Sequence, residues 1–170
     1  MEKLTILITK ILEKFLIVLM ATIVLDVTWQ IITRFILKNP SSFTEELAGF
    51  LLIWIGLLGA SYALRTRAHL GIDILTSKLQ GTKRRISEIT IYSFVAGFSL
   101  FILVIGGLRL VNLTFTLKQI SPAMGIPMGY VYIVLPLTGT LMIYYSVMFI
   151  VEAIKKPAQE ITRLNLTTVD

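Results

Sequence analysis

Cysteine is absent from these 170 residues and histidine occurs once, as His69. The first absence excludes a disulfide framework, a thiolate metal site and thiol redox chemistry. The second excludes a transmembrane haem held by two axial histidines at matching depth. Acidic side chains are few, ten against sixteen Lys and Arg, and none are spaced as a metal site or a catalytic pair. What the chain has in excess is apolar residues, gathered in four runs at roughly 15–37, 47–64, 89–111 and 130–151. Each run of about 18 to 23 residues, at about 1.5 Å per residue, crosses a hydrocarbon core of about 30 Å. Four such helices consume the chain and leave no room for a soluble domain or a nucleotide-binding fold. The expected fold is an all-α membrane protein: one domain over 1–170, with four transmembrane helices.

The basic residues orient it. Twelve of the sixteen fall in the first, third and last segments between the runs, and Arg34, Lys38, Arg109 and Lys118 are left over. By the positive-inside rule both termini and the loop at 65–88 are cytoplasmic, and the loops at 38–46 and 112–129 face out. A net charge of +6 placed beside spans points to an anionic inner leaflet and not to nucleic acid. The first run is too long for a signal-peptide core and no small-residue cleavage pattern follows it, so it is expected to remain as a span.

Between the runs, Leu4, Ile8, Ile11, Leu12 and Phe15 recur every three or four residues among lysines, which predicts an amphipathic lead-in along the inner surface. In the third segment Leu70, Ile74, Leu75, Leu79 and Ile86 repeat as one helical face, an interfacial segment between helices 2 and 3. Its bases Lys78, Lys83, Arg84 and Arg85 either meet anionic lipid headgroups or serve as topogenic charges on a solvated turn. Ser42-Phe43-Thr44-Glu45 fits a capping box, with Glu45 and Glu46 in the first turn, where the helix dipole favours negative charge. The stretch 121–129, with Pro122, Gly125, Pro127 and Gly129, is too broken for a helix and too apolar for a free linker, so it is expected to pack on something. Pro136 should kink the fourth helix unless it falls in the first turn.

Asp26 is placed near the middle of the first run, where a carboxylate costs about 2.5 to 3.5 kcal/mol on insertion scales. Thr22, Gln30 and Thr33 share its helical face, so the stripe should meet protein or water. It reads either as a coupling carboxylate or as a buried polar contact to a neighbouring helix, and no second intramembrane acid or base completes a relay. Arg34 and Arg109 either pair with Glu45 and Glu46 or snorkel to water. His69 stands four residues from both Arg65 and Asp73, a spacing for an interfacial polar cluster or a pH sensor. Trp54 lies in mid-span among Gly49, Gly56, Gly59, Ala60 and Ala63; Gly56 with Ala60, and Ser93 with Gly97, are small-xxx-small pairs that predict close helix packing.

Phe43-Thr44-Glu45-Glu46, Trp54, Gly56, Gly59-Ala60, Ala63, Arg65, His69 and Asp73, in that order, resemble the signature of the small (DctQ/SiaQ-like) membrane subunit of tripartite ATP-independent periplasmic (TRAP) transporters. Ser121-Pro122-Ala123-Met124, Ile126-Pro127, Tyr130 and Pro136 resemble its second outer loop and fourth span. The resemblance implies a multi-pass protein of the bacterial inner membrane with no catalytic residues and no cofactor of its own. It implies a large elevator-type membrane subunit as partner, carrying the substrate and sodium sites, and a periplasmic substrate-binding protein that delivers a carboxylate such as sialic acid or a C4-dicarboxylate. On that reading Asp26, Gln30, Glu45, Glu46, Trp54, Gly56, Gly59, Arg65, His69 and Asp73 are the candidates for the large-subunit interface. Two other classes remain open from the residues: a stand-alone four-helix proton-coupled exporter using Asp26, and a membrane anchor for a redox enzyme.

Overall fold

In the computed structural model, which describes residues 2–39, 41–66 and 81–155, four helices are long and apolar enough to cross a membrane: Lys3–Ile36, Ser42–Arg65, Thr82–Thr116 and Met128–Lys155. The shortest has 24 residues, about 36 Å of helix, so all four exceed the hydrocarbon thickness. The usual inside-out rule is inverted. Phe94, Phe35, Leu25 and Leu52 are exposed, whereas Ser61, Ser99, Thr138 and Ser146 are fully buried. Lipid-facing apolar surface costs nothing in a bilayer, and association between helices depends on close packing and hydrogen bonds instead.

The helices do not pack in chain order. The first lies on the second, the second on the fourth, and the fourth on the third, so the fourth is central and carries the core. One buried cluster joins Leu64, Tyr92, Leu103, Met142, Tyr145 and Phe149; a second joins Leu12, Leu58 and Val134. Tyr92 stacks on Phe149 with ring centroids 4.9 Å apart.

The third and fourth helices approach through glycine. A Cβ at Gly107 would stand 2.9 Å from Leu135 Cβ and 3.1 Å from Pro136 N, and one at Gly139 would stand 2.8 Å from Leu103 Cβ and 3.1 Å from the Ser99 carbonyl oxygen. Opposite Gly139 the third helix widens into a π segment, Ser99–Gly106, an irregularity that such close contact accommodates. Pro136 is the third residue of the helical stretch Val134–Lys155, within the first turn, where a missing N–H costs little. The interruption falls at Ile133, between that stretch and the five-residue helix Met128–Tyr132.

Three local expectations are corrected. The lead-in does not lie along a surface: residues 2–31 form one continuous helix, and Thr5 Oγ1 meets the Tyr144 hydroxyl at 2.8 Å, which sets this end against the fourth helix. No capping box forms, because the second helix starts at Ser42 without a side-chain cap and Thr44 Oγ1 instead donates to the Ser41 carbonyl at 2.9 Å. Residues 81–88 belong to a helix running on into the third span; the rest of the expected interfacial segment, residues 67–80, lies outside the described residues. The turns that follow the first and third membrane helices close in the left-handed region at Lys38 and Lys118, φ 51° and 49°. There the Asn39 and Gln119 N–H groups bond back to the Thr33 and Thr114 carbonyls at 3.0 Å each, satisfying carbonyls that a helix end leaves open.

Candidate functional site

The end of the bundle where the second helix begins is organised by Glu46. Its Oε2 accepts the Ser121 hydroxyl at 2.5 Å and the Ala123 and Met124 backbone N–H groups at 2.9 Å each. The loop folds around this carboxylate: Ser121 N–H donates to the Ile126 carbonyl at 2.9 Å, Met128 N–H to Gln119 at 2.9 Å, and Gly125 takes φ +67°. A positive φ suits glycine because no Cβ meets the backbone. The second outer loop therefore does pack on something, and that partner is the start of the second helix. Glu45, one residue earlier, is exposed. Among the described residues neither Glu45 nor Glu46 pairs with Arg34 or Arg109; Arg34 lies 6.0 Å from the Phe35 ring.

Trp54 is used inside the chain. Its Nε1–H donates to the Val131 carbonyl at 3.0 Å, and its ring meets Phe15 edge-on with centroids 6.2 Å apart. The break at Ile133 removes regular helical acceptors and donors from the short helix before it. An unpaired carbonyl in a bilayer costs free energy, and the indole satisfies one. This explains a tryptophan far from the interface.

The close packing expected around Gly56 and Gly59 does not occur among the described residues: there a Cβ at Gly49, Gly56, Gly59 or Gly97 would meet nothing within 4 Å. Gly56 instead lines an apolar groove of about 540 Å³ with Leu52, Ile53, Leu57, Leu110, Tyr132 and Leu135. Of the glycines that do allow close approach, Gly107 and Gly139 carried no paired spacing in the sequence that marked them, and Gly129 has only Gly125, four residues earlier in a loop.

Asp26 is buried, with Oδ2 lacking a hydrogen-bond partner. Thr33 is also buried, Gln30 is half-buried and Thr22 is exposed, so the polar stripe is covered toward its outer end only. Phe15 faces Trp54, and from there 11 residues forward along the first helix and 11 back along the antiparallel second, about 16 Å each way, bring Asp26 level with Phe43, at the start of the second helix.

At the other end Arg65 lies with Cζ 5.9 Å from the Phe149 ring and with Nε unpartnered. His69, Asp73 and Lys78 lie outside the described residues. Of the other expected lipid-headgroup bases, Lys83 is exposed, but Arg84 is buried and its Nε pairs with Glu88 Oε1 at 3.1 Å. Arg85 donates to the Ile154 carbonyl at 2.5 Å. Arg84 is thus tied within the third helix, where the i,i+4 spacing puts Glu88 on its face, and Arg85 ties the third helix to the end of the fourth. No group of three or more metal-ligating side chains occurs among the described residues.

Comparison with known proteins agrees with this arrangement of helices and outer loop. Residues 23–156 match the family described as "Tripartite ATP-independent periplasmic transporters, DctQ component". The chain is 30% identical over 102 residues to a C4-dicarboxylate TRAP transporter small permease protein of Rhodobacter capsulatus, covering 60% of this chain and 44% of that one. It is 29% identical over 126 residues to a sialic acid TRAP transporter small permease protein of Vibrio cholerae, covering 74% of this chain and 71% of that one. A match of 32% identity covers 76% of this chain but 21% of an isethionate TRAP transporter permease protein, DctMQ, of Oleidesulfovibrio alaskensis. The chain thus spans under half the length of the first of these relatives and about a fifth of the last. It is a multi-pass inner-membrane protein, and it belongs to the DctQ family of TRAP transporter small permease components.

Proposed function

We propose that this chain is the fixed scaffold of a sodium-driven TRAP importer, docked to a large elevator-type membrane subunit that carries the substrate and ion sites. The observation that supports it best is the open glycine face of the second helix, where a Cβ at Gly56 or Gly59 would meet nothing within 4 Å among the described residues. Small residues at helix surfaces admit a second backbone closely. The matched stretch forms about a fifth of the DctMQ permease and 18% of a sialic acid TRAP transporter permease protein, SiaT, of Haemophilus influenzae. In those chains a unit like this one is joined to a far larger remainder.

Orientation follows from the basic residues: both termini and residues 66–81 inside, residues 38–46 and 117–127 in the periplasm. The loop shaped by Glu46 then faces the periplasm and offers a preformed surface to the substrate-binding protein. The cargo is a carboxylate such as sialic acid or a C4-dicarboxylate. Relatives named for C4-dicarboxylate, sialic acid and isethionate match at 30%, 29% and 32% identity, so likeness in this subunit does not track cargo. Family membership displaces the exporter and redox-anchor alternatives.

The test is co-purification. Expressed with its large membrane subunit, the chain should be retained by a tag on that subunit, and Gly56→Leu should abolish retention. Transport of solute by this chain alone in liposomes would overturn the scaffold reading.

A further inference from the structure

Near the end of the second helix that carries Arg65, a groove of about 280 Å³ opens between the first and second helices, lined by Ile6, Thr9, Lys10, Arg65 and Thr66. Two of these five side chains are cationic, and among the described residues neither is ion-paired to a carboxylate. Arg65 is held with its guanidinium against the Phe149 ring, and its Nε–H is buried with no acceptor. Unpaired buried donors on a charged group are uncommon in folded proteins and mark a missing partner. The threonines do not supply it: no hydrogen bond joins either to the Arg65 Nε, and their hydroxyls donate to the Thr5 and Tyr62 carbonyls at 2.8 and 3.0 Å. Two cationic side chains with no carboxylate beside them among the described residues call for an anion from outside those residues.

We infer that this groove binds the phosphate of an anionic phospholipid of the cytoplasmic leaflet, with Lys10 and Arg65 as its two donors. Depth favours lipid over a free anion. Arg65 closes the second membrane helix, at the level where headgroups lie, and Ile6 of the groove stands beside exposed Leu7 and Ile11, an apolar wall along which acyl chains run. A phosphodiester presents two anionic oxygens, enough to take the guanidinium and the ammonium together. The site is separate from the glycine face of the second helix, so it stands whether or not the scaffold reading holds.

The full chain, purified in detergent, is delipidated and offered phosphatidylglycerol or phosphatidylcholine of matched acyl chains, and retained lipid is counted by native mass spectrometry. Phosphatidylglycerol should be retained preferentially, at one molecule per chain. Lys10→Gln and Arg65→Gln should each weaken it about fivefold, the scale for one base at an anionic lipid surface. Lys118→Gln, which removes the same charge at the outer turn, should leave it unchanged. The exposed position of Lys10 makes that variant safe if Arg65→Gln disturbs folding. Equal retention of the two lipids, indifference to both substitutions, or displacement by millimolar inorganic phosphate would overturn the assignment. So would loss of the large subunit in both variants with lipid retention intact, which would give the groove to a protein carboxylate.

Discussion

Between the third and fourth helices, a methyl group added at Gly107 or Gly139 runs into Leu135 or Leu103 at 2.9 and 2.8 Å, whereas one added at Gly49, Gly56 or Gly59 of the second helix meets nothing within 4 Å. One residue type serves two opposite purposes in one bundle. In the first place the absent side chain is already filled by a neighbour, and the chain packs itself. In the second the space is empty, and the face is complete only when something else lies on it. A small-xxx-small spacing does not distinguish the two, since Gly56 with Ala60 has the spacing and no neighbour, while Gly139 has a neighbour and no spacing.

The comparison breaks most easily on its filled side. Gly139→Ala must displace Leu103 and the Ser99 carbonyl, and the second is backbone that a rotamer change does not move. Overpacking of this kind costs about 1 to 3 kcal/mol. Thermal unfolding of the chain purified alone should show a clear loss of stability, and an unchanged midpoint would mean that the two helices are not in contact there.

Next in size is Glu46→Ala, which strands the Ser121 hydroxyl and the Ala123 N–H and leaves the Met124 N–H with only its 3.1 Å bond to Ser121 Oγ. The helices should survive while the outer loop loosens, and amide hydrogen exchange at Ala123 and Met124 is the measurement. Exchange as slow as in the parent would show that the loop is held by something else. Such a loosened loop is also the variant with which to test docking of the periplasmic binding protein.

The large features were legible in the sequence because they rest on run length and composition. Four apolar runs gave four membrane helices, since nothing but a helix satisfies a lone segment's backbone in lipid. The broken stretch at 121–129 was legible as a packed loop, because prolines and glycines amid apolar residues allow neither helix nor free linker. Its partner was not, because Glu46 and Ser121 are 75 residues apart and no periodicity relates them. Trp54 was visible as anomalous in mid-span, but its acceptor depends on a helix break at Ile133 that only tertiary structure shows. Asp26 was legible as a carboxylate needing cover, and it is buried; its place along the second helix was not, because that depends on the register set by the Phe15–Trp54 contact. The bases at 84 and 85 were counted with the lipid-facing charges, although the i,i+4 relation of Arg84 to Glu88 already offered a partner on the same face.

A smaller effect separates Trp54 from the open glycines beside it. Trp54→Phe keeps the ring against Phe15 and leaves the Val131 carbonyl unpaired, a loss of about 1 kcal/mol, the scale of one hydrogen bond. It should appear in the unfolding of the chain alone, without any partner present. Destabilisation seen only in the complex would instead make the indole part of the interface.

The smallest effect on the isolated chain is expected at Gly56→Leu, and it sharpens the comparison furthest. The added side chain enters the groove between Leu52, Ile53, Leu110 and Tyr132, where it has room, so the unfolding midpoint should stay within about 0.5 kcal/mol of the parent, as for a surface site. In the complex the same leucine occupies the space that a close-packed partner helix needs, and assembly should fail. A stable chain that no longer binds separates an interface from a core position, which Gly139→Ala by construction cannot do. If Gly56→Leu instead unfolds the chain, or if it assembles normally, the open face is not where the large subunit sits.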